Sequence, residues 1–190
     1  MTLTRRSTIA ILALLALATV GPVTPANAGG IIERNSFDYA FDDSFKDCGT
    51  TIDYHREGTV SSTIRDANGR TGGQFFFYGE SYSFRETFTD RRTGDSISAS
   101  ASGRFRELQP RVISTDGSIV TYITKDSGAL YNLYDSEGAL VARDHGTITE
   151  RYVFDTLGDS QPGGVFLSEE LVSAKGLFQS EDIDFCALLN

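Results

Sequence analysis

Asp144, His145 and Glu150 are the residues of this 190-residue chain whose types and spacing come nearest to a catalytic group. The chain has two histidines, His55 and His145, and a proton shuttle based on imidazole has to use one of them. A carboxylate beside an imidazole raises its pKa and suits it to general acid or base work, and two carboxylates at the right separation can divide the roles of glycoside hydrolysis. These residues lie in the stretch Gly138 to Gly164 (GALVARDHGTITERYVFDTLGDSQPGG), which reads as a long strand. Straight alternation puts Leu140, Ala142, Asp144, Gly146, Ile148, Glu150, Tyr152 and Phe154 on one face, and Arg143, His145, Thr147, Thr149 and Arg151 on the other. His145 then faces water among positively charged residues. A bulge at Gly146 would reverse the phase and turn His145 inward toward Glu150. The straight strand is the expected form, because it needs no irregularity.

Other chemistry finds no motif. The chain contains no Gly-x-Ser-x-Gly nucleophile elbow, no phosphate-cradling loop and no dinucleotide fingerprint, so no cofactor is expected. Asp42, Asp43 and Asp47 lack the spacing and central Gly of a calcium loop and read as a solvated acidic turn. No metal site is expected. His55, between Tyr54 and Arg56, reads as an exposed strand residue.

The elements that must position these groups are strands. Phe37, Tyr39 and Phe41 alternate with polar residues, and Thr50 to Arg65 leads into an Asn68-Gly69 turn suited to a tight hairpin. In the aromatic run that follows, Phe76, Tyr78, Tyr82, Phe84 and Phe88 share a parity with Glu80 and Glu86, and Gly79 is a candidate bulge or kink. Ser96, Ser98, Ser100 and Ser102 form a wet face, opposite the small apolar residues Ile97, Ala99, Ala101 and Gly103. Those small residues either make room for neighbouring aromatics or leave a cavity. Ser118 to Lys125 and Ala129 to Asp135 read as short strands separated by a Ser127-Gly128 turn, and Val165 to Lys175 as another. No 3.6-residue apolar period is sustained, so helix content is expected to be low. The expectation is all-β: a single antiparallel β-barrel or strongly curled sheet of about eight strands, closure being the favoured solution because strands this long would otherwise leave exposed edges.

The ends of the chain speak to location. Arg5 and Arg6, an apolar run of 12 residues from Ile9 to Val20, and Ala26-Asn27-Ala28 make a signal peptide over residues 1–28, leaving 29–190 as one secreted domain. Thr4-Arg5-Arg6 half-matches a twin-arginine export signal. Without the two leader arginines, 15 basic residues face 26 acidic ones, a net charge of −11. That balance disfavours nucleic acid and membrane partners. In an exported chain, Cys48 and Cys186 are expected to form a disulfide that ties the ends together.

Asp155-Thr156-Leu157-Gly158-Asp159, Pro162-Gly163-Gly164 and Asp184-Phe185-Cys186 together resemble a group of secreted actinobacterial proteins that have no assigned activity. The resemblance implies an all-β secreted domain with a terminal disulfide and carries over no catalytic residue. The strand order is similar in architecture to lipocalin-like and allene-oxide-cyclase-like barrels, although the Gly-x-Trp of lipocalins is missing. Three functions follow as expectations. The first is binding of a small apolar ligand in a barrel cavity, with Phe76, Tyr78, Tyr82, Phe84, Tyr152 and Phe154 as candidate contacts. The second is a cyclase, isomerase or hydrolase using His145, Asp144 and Glu150. The third is a surface-interaction or structural role with a filled core.

Overall fold

Residues 30–66, 76–114, 117–158 and 163–189 are described by a computed structural model. Alternating Thr, Ser, Tyr, Phe, Val and Ile residues favour a pleated, half-buried surface. They form β1 (Ile31–Asp47), β2 (Thr50–Asp66), β3 (Phe76–Asp90), β4 (Ser96–Val112), β5 (Ile119–Tyr134), β6 (Leu140–Asp155) and β7 (Val165–Phe178). Each strand pairs antiparallel with the next in one seven-stranded meander. Among the described residues helix is confined to a 3-10 turn at Ser180–Asp182 and one turn, α1, at Phe185–Leu188. Of the two expected forms, the structure is the open, curled sheet, since β1 and β7 do not pair among the described residues. The expected signal peptide, the expected turn at Asn68-Gly69, Asp159 and Pro162 lie outside the described residues.

One face of the sheet, here the inner face, is covered at one end by the C-terminal segment. Leu189, 1% exposed, joins Ile52, Ile97, Ala99, Leu133 and Ala142 in a buried cluster, with Phe88, Tyr131, Ile183, Phe185 and Leu188 packed around it. The segment is held at both ends. Asp144, 7% exposed, accepts hydrogen bonds from the backbone N–H and hydroxyl of Ser180, and Cys186 is disulfide-bonded to Cys48 with a Cα–Cα distance of 5.3 Å. The disulfide therefore runs from the β1–β2 turn to a strap that crosses from β7 over the inner face. A second cluster, Val120 and Tyr122 with Phe77 and Phe154, closes the opposite end.

The small residues of β4 make room for aromatics. Tyr82 of β3 reaches past Gly103 to hydrogen-bond Asp126 of β5 at 2.9 Å, and Tyr131 of β5 reaches past Ala99 to Glu86 of β3 at 3.5 Å. A row of glycines crosses the sheet beside them: Gly103 is opposite Gly128, Gly128 opposite Gly146, and Gly146 opposite Gly176. Gly146 and Gly176 have φ of 152° and 143°, and a Cβ on either would lie 2.2 or 2.1 Å from a neighbouring carbonyl oxygen. Only glycine allows adjacent backbones this close with such φ, so the row forms a crease about which the sheet curls.

Three expectations are corrected. Ser127-Gly128 is not a turn; it lies inside β5, so the two expected short strands are one strand, Ile119–Tyr134. Gly79 is not a bulge, because its register to β2 runs unbroken on both sides; the ladder to β4 ends at it. Asp42, Asp43 and Asp47 are not in a loop, since β1 continues to Asp47 before the turn at Cys48-Gly49.

Candidate functional site

The two halves of the sheet part between β3 and β4. Their ladder ends at Gly79 opposite Arg106, whereas β3 stays paired with β2 as far as Phe76 and β4 with β5 as far as Val112. Beyond the fork β3 leans inward. The Phe77 ring, outward by parity, packs instead with the inner cluster, 6.5 Å from Tyr122. The parted strands leave a cleft of about 660 Å³, whose apolar walls include Phe77, Tyr78, Phe105 and Leu108. Arg34, Arg65, Arg104 and Arg106 stand around it with Ser61, Thr63 and Ser81.

Glu107 sits where the ladder ends and takes over one of its lost hydrogen bonds, accepting from the Tyr78 backbone N–H at 2.7 Å. Burial pushes its carboxyl up to about 7, opposed by that single hydrogen bond. A folded-state pKa above the unfolded value means that Glu107 stabilises the fold fully below about pH 4.5 and that this contribution disappears as pH rises through 7. Glu107→Gln keeps an acceptor for Tyr78 without the charge. The variant is expected to match the parent at pH 4.5 and to exceed it by about 2 to 3 kcal/mol at pH 8, at about 1.4 kcal/mol per pKa unit. Urea midpoints at the two pH values provide the check, and an equal difference at both would refute the assignment.

The rest of the inner face is aromatic and acidic. Burial raises the carboxyls of Glu80, Asp126 and Glu150, and each is hydrogen-bonded by a tyrosine hydroxyl: Tyr78 to Glu80 at 2.5 Å, Tyr82 to Asp126 at 2.9 Å, and Tyr152 to Glu150 at 3.0 Å. Burial and these acidic partners raise the three phenols, which stay protonated as donors. Arg56 is the cation among them. Its guanidinium lies 3.7 Å from the Phe84 ring centroid and 3.3 Å from Glu86, which also accepts from Tyr54 at 2.7 Å. Glu86, 7% exposed, thus has the partners that a buried carboxylate requires.

The catalytic candidates do not converge. His145 is exposed on the outer face, as straight alternation predicts, and the irregularity beside it lies in β5, between Ala129 and Tyr131. Asp144 secures the strap, and Glu150 is engaged by Tyr152. His55, also on the outer face, is 2.8 Å from Asp42. Among the aromatic candidates, Tyr78 lines the cleft; Tyr82, Phe84 and Tyr152 lie on the inner sheet face, and Phe154 packs in the second cluster. Phe76 is half-buried at the start of β3. Sequence reading passed over Arg56, Glu107, Asp126 and the four arginines. A signal was present: Arg56 alternates in phase with Ile52 and Tyr54, and Glu107 with Phe105, placing charges at inward positions.

No family model, curated protein or solved structure matches this chain. The class is therefore defined by its own geometry: a creased, forked antiparallel sheet with a disulfide-held C-terminal strap.

Proposed function

We propose that this is a secreted binding protein that holds a small, mostly apolar ligand in the cleft between β3 and β4. The cleft itself carries the reading. Its volume of about 660 Å³ is within the range of about 300 to 1,000 Å³ usual for small-molecule sites, and aromatic and aliphatic walls with a few polar groups are the usual lining. A disulfide is compatible with an oxidising, extracellular setting. Gly79 lines the cleft, and the nearest atom to a Cβ built on it is 3.6 Å away, so Gly79→Phe can enter the space without backbone strain. Native mass spectrometry of protein secreted into its own culture medium is expected to show a bound small molecule in the parent and none in a folded Gly79→Phe variant. Equal retention by both, or an empty parent, would sink the proposal.

The edges favour a second reading, a surface-interaction role. The free strand β1 exposes Phe37 (54%) and Phe41 (46%), and β7 exposes Phe166 (50%) and Leu171 (52%). Long apolar edges are templates for pairing with another chain. A concentration-independent monomer in sedimentation velocity would count against self-association at these edges.

A further inference from the structure

The cleft has a charge asymmetry that its apolar walls do not explain. At the forked end of the sheet, strand alternation sorts charge between the two faces. Glu80, Glu107, Asp126 and Glu150 occupy inner positions, whereas Arg34, Arg65, Arg104, Arg106 and Lys125 occupy outer ones. Arg34, Arg65, Arg104 and Arg106 are exposed and line the cleft. Among the described residues none of the four has a carboxylate within ion-pair distance, and Arg104 is engaged only by the Ser81 hydroxyl at 3.4 Å. Arg56, Arg91, Arg92 and Arg151 have acidic partners, whereas Arg85, Arg111 and Arg143, which do not line the cleft, also have none within ion-pair distance among the described residues. In a chain with 26 acidic residues, four neighbouring arginines without an acidic partner are a local reversal of the whole-molecule charge.

Arg34 lies opposite Thr63, Thr63 opposite Gly79 and Gly79 opposite Arg106, so the arginines bracket the glycine floor across four strands. At about 4.8 Å between neighbouring strands, the row from Arg34 to Arg106 spans about 14 Å at the backbone. Guanidinium groups on flexible stems can converge on one anionic head over that distance, with the Ser61, Thr63 and Ser81 hydroxyls as further donors. The apolar surfaces of Phe77, Phe105 and Leu108 adjoin this rim.

We propose that the ligand of the cleft is an amphipathic anion, with its apolar body between the parted strands and a carboxylate, phosphate or sulfate head held by Arg34, Arg65, Arg104 and Arg106. This rests on the cleft being a binding site and adds the chemical class of what it binds.

Titration calorimetry of the mature protein at pH 6.5 distinguishes the two claims, using decyl phosphate, decanoate, decanol and inorganic phosphate below micellar concentrations. Decyl phosphate and decanoate are expected to bind at least tenfold more tightly than decanol, and more tightly than inorganic phosphate. The double variant Arg104→Gln/Arg106→Gln is expected to lose at least tenfold in affinity for the two anions while its affinity for decanol changes less than twofold. Arg85→Gln, on the outer face away from the cleft, is expected to behave as the parent. Equal binding of decanol and the anions would overturn the head-group assignment and leave the apolar site standing. Inorganic phosphate binding as tightly as decyl phosphate would overturn the amphipathic assignment. Failure of every probe to bind would overturn the cleft as a site for such ligands.

Discussion

A variant lacking both cysteines, Cys48→Ala/Cys186→Ala, is expected to lose about 3 to 5 kcal/mol of stability and about 10 °C in Tm. The disulfide joins residues 138 positions apart, and in the chain-entropy account the benefit of a crosslink grows slowly with the loop that it closes. Its structural role adds to that effect. Without it the strap is held by Asp144 at Ser180 and by the packing of Ile183, Phe185, Leu188 and Leu189 alone. Release of the strap uncovers Ile52, Ile97, Ala99, Leu133 and Ala142, so the variant is also expected to bind a hydrophobic dye before global unfolding. Thermal unfolding followed by circular dichroism, with and without reductant on the parent protein, measures the effect. A change below 1 kcal/mol would show that the strap docks independently of the bond.

Gly146→Ala is expected to be at least as disruptive, costing about 3 kcal/mol or more and abolishing recovery of folded protein if the crease has no slack. The added Cβ meets the Lys175 carbonyl oxygen at 2.2 Å and the Gly176 Cα at 2.8 Å. Both are backbone atoms of the paired strand, so relief requires the strands to separate. A φ of 152° adds strain of its own for an L-residue. Gly79→Ala is the control: with nothing nearer than 3.6 Å and no positive φ, it is expected to change stability by less than about 1 kcal/mol. Denaturant midpoints of the two variants give the comparison. Similar tolerance at both positions would show that the glycine row does not set the curl.

The site was only partly legible in the sequence. Parity arguments put His145 on the solvent side, and Tyr82 and Phe84 on a shared face with Glu80 and Glu86, because a strand side chain's face depends only on the count of residues along it. The same parity misplaced Phe77, whose strand leaves the sheet plane at the fork. It also misjudged the glycines. Gly79 and Gly146 are equivalent as letters, yet one stands at the end of the β3–β4 ladder with open space above it and the other touches a neighbouring backbone.

The amino-acid order by itself determined the all-β class, the antiparallel meander and the pairing of two cysteines, since these follow from alternation, turn chemistry and the number of thiols. Tertiary structure alone decided that the sheet stays open, that four glycines from four strands line up as a crease, and that β3 and β4 part to leave a cleft rimmed by arginines. The physical reason is that each of these depends on inter-strand register. Register is set jointly by paired strands and the turns that join them, and no single strand's periodicity specifies it.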